Sequence, residues 1–244
     1  MSFKERTEII FGPEKMDLLA GSSVAVYGLG GVGAVAAVTL VRAGIGKISV
    51  TDFDTVNESN LNRLIFGFNS TVGMNKTEVF RKTALDINPD VEIEVSSAFM
   101  HGSDAAFNIH KADFHIDAID SLNPKVNLII ALLESDQLFI SSMGTGGRVR
   151  PEMLQVADIW KTDVCPLAKF VRKRLRNRNV KKGFPVVFSK EISVDPVDPD
   201  DEGAPDGGSG RKRLTQGSAP FVPQAAGLIL ASYAVRKIIE GGMK

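Results

Sequence analysis

The stretch that most constrains this chain is Gly28-Leu29-Gly30-Gly31-Val32-Gly33, which fits G-x-G-x-x-G with one additional glycine. It follows an apolar run, Val24-Ala25-Val26-Tyr27, and opens a small-residue helical pattern, Ala34-Val35-Ala36-Ala37-Val38-Thr39-Leu40-Val41. A strand that ends in closely spaced glycines and begins a helix is a phosphate cradle. The glycines let the backbone turn tightly and approach a ligand, and the free N–H groups of the helix N-terminus face its negative charge. Alone, the loop indicates a nucleotide without saying which.

Around this unit the chain alternates strands and helices. Residues 3–20 read as lead-in helices, with Pro13 breaking the segment or starting a second helix. Lys47–Asp52 reads as a second strand after the stop at Gly44-Ile45-Gly46, and Lys76–Ile87 as a helix ended by Asn88-Pro89. Strands are expected at 91–95, 114–119 and 138–142, with a helix from Pro124 to Glu134. This alternation predicts an α/β fold: a Rossmann-like, doubly wound, mainly parallel sheet. Beyond residue 150 the character changes. Lys169 to Lys182 holds eight Lys or Arg and no acid, Asp195 to Asp206 holds six acids among Pro and Gly, and Ala225–Lys237 reads as an apolar helix. We therefore expect one domain over 1–244, with a nucleotide-binding core at 1–150 and a loop-rich C-terminal third at 151–244.

Composition narrows the class. Lys and Arg balance Asp and Glu at 29 each, so net charge argues for no particular partner. The single cysteine, Cys165, excludes an internal disulfide and a four-cysteine zinc site, and suits a reducing cytoplasm. No run reaches the roughly 18 apolar residues that span a bilayer.

Asp52 stands nineteen residues past Gly33, at the expected end of the second strand, where a carboxylate can accept from a ribose hydroxyl. That placement suits NAD and any adenosine nucleotide equally. The residues that follow are not those of an ordinary dehydrogenase: Asp52-Phe53-Asp54, Asn60-Leu61-Asn62-Arg63, Val72-Gly73-Met74-Asn75-Lys76, and Asp117-Ala118-Ile119-Asp120-Ser121. In this order they strongly resemble the adenylating family related to ubiquitin-activating enzymes, the ThiF type. The resemblance implies ATP held by Gly28, Gly30, Gly31, Gly33, Asp52, Asp54, Asn60, Arg63, Lys76, Asp120 and Ser121. It gives Arg63, Lys76 and Asp120 the catalytic roles, with Asp120 on Mg²⁺. The chemistry agrees with those residue types, because attack of a carboxylate on the α-phosphate of ATP needs cations, donors and a hard metal around the phosphates. Taken singly, Arg63 and Lys76 would read as solvated surface charges, and Asp54 as a loop acid or cap. Dimeric relatives place an N-terminal arginine in the partner's site; Arg6 is the nearest candidate, its alternative an exposed helix-end charge.

Within that family the chain is similar to a bacterial branch, the tRNA threonylcarbamoyladenosine dehydratases, through Ser142–Pro151, Val156–Thr162, Pro166-Leu167-Ala168, Val187–Glu191 and Gly217–Pro223. The branch implies ATP-dependent cyclisation of a modified adenosine in tRNA, a homodimer, and no zinc; a sulfur-transfer protein and a monovalent cation are further associates to consider. The basic run then gives a tRNA-binding set of Lys169, Arg172, Lys173, Arg174, Arg176 and Arg178, which Arg211-Lys212-Arg213 could extend; the alternative is a solvated helix face. A second enzyme reading is activation of the C-terminal glycine of a ubiquitin-like sulfur carrier. Cys165 could then be a nucleophile reached through a loop, or else an inert small hydrophobe. A nucleotide-binding scaffold and an NAD oxidoreductase complete the alternatives. His101, His110 and His115 fall in no motif and are expected at the surface or at strand ends.

Overall fold

In a computed structural model of the chain, residues 3–97, 109–196 and 216–241 are described here. Two short helices, α1 (Glu5–Phe11) and α2 (Pro13–Ala20), precede β1 (Ser23–Tyr27), and Pro13 opens α2 where its missing N–H has no helical partner to lose. The chain continues through α3 (Gly33–Ala43), β2 (Lys47–Thr51), α4 (Lys76–Ile87), β3 (Glu92–Ser96), β4 (Phe114–Asp117), α5 (Leu122–Glu134) and β5 (Phe139–Ser142). Beyond them come β6 (Leu154–Asp158), α6 (Pro166–Asn177), β7 (Pro185–Ser189) and α7 (Phe221–Gly241).

The seven strands form one sheet in the order β3-β2-β1-β4-β5-β7-β6. Every pairing is parallel except that of β6 with β7. β1 is buried on both faces and accordingly reads as an unbroken apolar run. Its alternating side chains feed two cores: Val24 and Val26 pack with α3 and α7, while Ala25 and Tyr27 pack with α5, α6 and β7. The result is three layers, helices on each side of the sheet.

The periodicity reading assigned no strand to residues 151–190. There Val186, Val187 and Phe188 form a short buried strand, and β6 caps the sheet edge beside it through the register Val156 with Val187. α7 is longer than expected and lays Ala226, Leu230, Ala231 and Ala234 against the small-residue face of α3. α6 ends at Asn177, and Asn179 takes a left-handed backbone (φ 58°), so Lys181 and Lys182 lie outside the helix. The acidic segment past Pro196, Arg211–Arg213 and His101 lie outside the described residues. None of the described helices is long and apolar enough to cross a membrane.

Topology positions the site. From β1 the chain winds outward to β2 and β3, then returns to place β4 on the other side of β1. Ligands of such sheets bind outside the strand C-termini where winding reverses. Gly28 follows β1, Asp52 follows β2 and Asp120 follows β4, so three adjacent strand ends deliver them to one crevice.

Candidate functional site

A cleft of about 480 Å³ opens at that reversal point. Its floor is the glycine loop. Gly28 has φ +90°, and a Cβ there would sit 2.8 Å from the Ala118 carbonyl oxygen. A Cβ on Gly33 would fall 1.8 Å from the Gly28 oxygen, so the first turn of α3 closes on the loop only without a side chain. Gly30, by contrast, has nothing within 4 Å of its Cβ position and faces the cleft.

Beside the loop, Asp52 is buried. Its Oδ2 accepts from the Leu29 N–H at 2.5 Å and its Oδ1 from the Asp54 N–H at 2.8 Å. Burial raises its carboxyl above the ordinary range; the Lys76 cation and the two N–H groups oppose that rise without cancelling it. Lys76, the first residue of α4, is buried too, its Nζ 2.8 Å from Asp54 Oδ2 and 3.9 Å from Asp52 Oδ1. Its backbone N–H also bonds the Asp54 carbonyl, and Thr55 pairs with Asn75, so the Asp54 loop and the start of α4 move as a unit.

Arg63 lies with its aliphatic stem over Gly31, where a Cβ would come within 3.0 Å of Arg63 Cγ. Its Nη1 donates to the Ser59 carbonyl at 2.8 Å and to Asn62 Oδ1 at 2.9 Å, which leaves other guanidinium N–H groups for the cleft. Asn60, on the short 3-10 turn Glu58–Asn60, also lines it. Across the loop, Asp120 and Ser121 are exposed at the lip, with Ser121 Oγ donating to Asp120 Oδ1 at 3.2 Å. A lone hard carboxylate beside a phosphate loop suits Mg²⁺, which takes one or two carboxylates and completes its shell with substrate phosphates and water. Among the described residues no three His, Cys, Asp or Glu side chains converge into a metal cage.

The cleft thus collects Gly28, Gly30, Gly31, Asp52, Asp54, Asn60, Arg63, Lys76, Asp120 and Ser121 from five separate segments, with Gly33 buried behind them. Arg6 is not among them; it is exposed on α1, away from this cleft.

Beneath Asp120 lies a polar cluster that sequence reasoning did not assemble. Asp117 and Lys125 are both 0% exposed, with Lys125 Nζ 2.6 Å from Asp117 Oδ2. Ser141 Oγ donates to that oxygen at 2.6 Å, while Asp117 Oδ1 accepts from the Ile119 N–H at 3.0 Å. The buried carboxylate thereby fixes the turn that ends in Asp120. Asp117 already stood in the strand-end motif, but its partner was signalled only by a lysine in a largely apolar helical run.

A second missed feature is the far wall, built by Ser142–Gly146, Leu167, Gln216, Ser218 and Pro223. Arg148, buried, binds this wall through bonds from Nη1 to the Gly144 and Gly146 carbonyls and from Nε to that of Glu191. Asn62 Nδ2 donates to the Ser218 carbonyl at 2.7 Å, tying the wall to the Arg63 segment.

Several expectations need correction. Of the two readings of Cys165, burial removes the nucleophile in an accessible loop and agrees with the inert small hydrophobe: it is 1% exposed, behind the wall, with its Sγ 3.6 Å from the Gly144 Cβ position. His115 is not at the surface but fully buried in β4, between Tyr27 and Gln137. Burial holds it and His110, which pairs with Thr51 Oγ1, below the usual imidazole range. The basic run is not uniform either. Arg172 donates to Thr162 Oγ1, Arg176 lies 5.3 Å over the Trp160 ring, and Arg178 donates to Asn127 Oδ1 at 2.8 Å. Lys169, Lys173 and Arg174 make no such side-chain contact among the described residues.

A doubly wound sheet with a glycine loop, a strand-end carboxylate and clustered cations at its reversal point defines a nucleotide-binding α/β protein. The chain belongs to the ThiF family, whose model matches residues 5–240. It is 37% identical to the tRNA threonylcarbamoyladenosine dehydratase of Bacillus subtilis over 238 residues, covering 96% of this chain and 94% of that one. Against the Escherichia coli protein of the same name it is 33% identical over 246 residues, covering 96% and 92%. The fold is similar to the crystal structure of the Escherichia coli tRNA N6-threonylcarbamoyladenosine dehydratase in complex with ATP, with a TM-score of 0.84, 30% identity, and coverage of 98% of this chain and 95% of that one.

Proposed function

We propose that this chain is an ATP-dependent enzyme that adenylates the threonyl carboxylate of threonylcarbamoyladenosine in tRNA and drives its cyclisation. The observation that carries the reading is the cleft at the reversal point, in a chain that aligns with the dehydratases over nearly its full length.

The residues suit the steps. ATP would lie along the glycine loop, its ribose hydroxyls donating to the Asp52 carboxylate, which the Leu29 and Asp54 N–H groups hold in place. Arg63, with its stem on Gly31, would set its planar fork on phosphate oxygens, and Lys76 would supply a compact charge shared with Asp54. Asp120 would hold Mg²⁺ together with the phosphates, a cation that would supply screening of the charge building at the α-phosphate. The threonyl carboxylate attacks the α-phosphorus and pyrophosphate leaves, giving an acyl adenylate. A nitrogen of the same modification then attacks the activated carbonyl and AMP departs. The net change in the nucleoside is loss of water. Because the second nucleophile belongs to the substrate, no enzyme thiol is needed, and the buried Cys165 is compatible with that.

Two companion readings attach to this one. The tRNA would meet the basic α6 face at the edge of the cleft, which Leu167 joins to the helix. A homodimer would form through α1, which buries no residue of its own and leaves Ile9 and Ile10 81% and 77% exposed. Arg6 shares their helical face, so a partner subunit covering them would meet it. A reducing cytoplasm would suit both the tRNA substrate and the single free thiol.

Mass spectrometry of nucleosides after incubating threonylcarbamoyladenosine-bearing tRNA with enzyme, ATP and Mg²⁺ tests the reaction. The cyclic nucleoside and AMP are expected in equal amounts, falling at least a hundredfold in Arg63→Ala, on the scale of losing a transition-state donor, and likewise in Asp120→Ala, which loses the metal's carboxylate. Pyrophosphate exchange stimulated by a ubiquitin-like carrier protein and not by tRNA would replace this reading with the carrier-activating one.

A further inference from the structure

α6 has two faces with different obligations. Ala168, Val171 and Leu175 are buried in the core shared with α5, and nothing on that side is free. On the outer side, the cations divide as described: Arg172, Arg176 and Arg178 are engaged by Thr162, Trp160 and Asn127, while Lys169, Lys173 and Arg174 are not engaged by any described side chain. Among the three unengaged cations stands Phe170, 51% exposed. It stands three and four residues before Lys173 and Arg174, and Lys169 stands four before Lys173, so the cations form a row beside the ring on the outer side of the helix.

An aromatic ring left in water amid cations that no described side chain engages contributes nothing to the core. Single-stranded nucleic acid is the ligand whose chemistry uses both parts, since bases stack on aromatic faces while phosphates take the flanking charge. The placement adds direction. Leu167, in the first turn of α6, lines the nucleotide cleft, and Leu167, Phe170 and Arg174 follow one another at helical spacing. At 1.5 Å per residue, this line runs about 10 Å from the cleft mouth to Arg174, the reach of about three stacked nucleotides at about 3.4 Å each.

We propose that Phe170 is a stacking platform for an unpaired base of the RNA substrate adjacent to the nucleotide in the cleft, with Lys169, Lys173 and Arg174 on the neighbouring phosphates. This rests on the tRNA reading above and makes it specific: of the basic run, only the unengaged cations bind RNA, and the engaged arginines hold the helix in place.

The experiment is equilibrium binding of threonylcarbamoyladenosine-bearing tRNA, followed by fluorescence anisotropy across a salt series. Phe170 is exposed, so Phe170→Ala folds, and unchanged ATP binding checks this. Phe170→Ala is expected to weaken tRNA binding tenfold to a hundredfold with the salt slope unchanged. Phe170→Trp is expected to restore it, and Phe170→Leu, apolar without a ring face, is not. Lys173→Ala with Arg174→Ala should instead flatten the slope of log affinity against log salt, by about 0.7 per lost contact on a single strand. Wild-type affinity in Phe170→Ala overturns the proposal, as does recovery in Phe170→Leu, which would mark a merely apolar contact. The two readings fail separately: unaltered binding by Phe170→Ala with cyclisation intact removes only the stacking platform, whereas no tRNA binding and no cyclic product from the wild type removes the reaction itself.

Discussion

Replacing Lys125 by Met tests whether the turn beneath Asp120 depends on a buried ion pair. Both partners are fully buried, and Lys125 Nζ lies 2.6 Å from Asp117 Oδ2. Met fills much of the same volume, so packing loss is small and the variant isolates the charge. What remains for Asp117 is two donors, the Ser141 hydroxyl and the Ile119 N–H. Two hydrogen bonds do not replace a cation in a low-dielectric site, and stranding one member of a buried pair costs about 3–5 kcal/mol. Urea denaturation at neutral pH should therefore show a midpoint lower by about 1.5–2.5 M, if m is about 2 kcal/mol/M. The paired change Lys125→Met with Asp117→Asn removes both charges and keeps an acceptor for the Ile119 N–H, so it should recover most of the lost stability. The double variant should bind ATP and Mg²⁺ more nearly as the wild type does, because it leaves no stranded buried charge to displace the turn that carries Asp120. A single-variant cost under about 1 kcal/mol, or a double variant no more stable than the single, would refute the reasoning.

The glycine loop offers a contrast within three residues. Gly33→Ala should cost about 3 kcal/mol or more in thermal unfolding, since its Cβ lands on the Gly28 oxygen. Gly30→Ala, with open space around the new methyl, should leave stability within about 1 kcal/mol and weaken ATP binding; the opposite ranking would mean the loop is not the phosphate floor. Adenosine affinity should fall on acidification at a pH above the usual carboxylate range, because burial raises the Asp52 carboxyl and only its ionised form accepts from two ribose hydroxyls; Lys76→Ala removes an opposing cation and should move that fall to still higher pH in a binding titration. Tyr27, one of two tyrosines, is pushed up to about 12 by burial. Its extra stabilisation is complete below its unfolded value near 10 and disappears as pH rises through 12, so ultraviolet titration should show one phenol ionising late, or only as the chain unfolds.

The sequence by itself determined the local signals: a glycine loop between a strand and a helix, an acid at the next strand end, and alternation that makes a parallel sheet through residue 142. These are legible because a loop motif and a 2- or 3.6-residue period need only neighbours along the chain. The motif order also named the cleft residues, though not their mutual geometry; that Lys76 would be turned onto Asp54, and Arg63 folded over Gly31, depends on segments far apart in sequence. The last third was less legible for the same reason. Val186-Val187-Phe188 is too short to read as a strand until β5 and β6 flank it, and α7 gains its buried face only where α2, α3 and the sheet cover it. Burial, decided by tertiary packing alone, changed the reading of individual side chains most. It took Cys165 out of solvent, placed His115 inside the sheet and gave Lys125 a carboxylate in the core. It also divided the helical part of a basic run that looks uniform in sequence: Thr162, Trp160 and Asn127 hold three arginines, while three cations that no described side chain engages stand around Phe170, and beyond the helix Lys182 pairs with Asp136. Charge is a property of the residue, but whether that charge is already answered is a property of the fold.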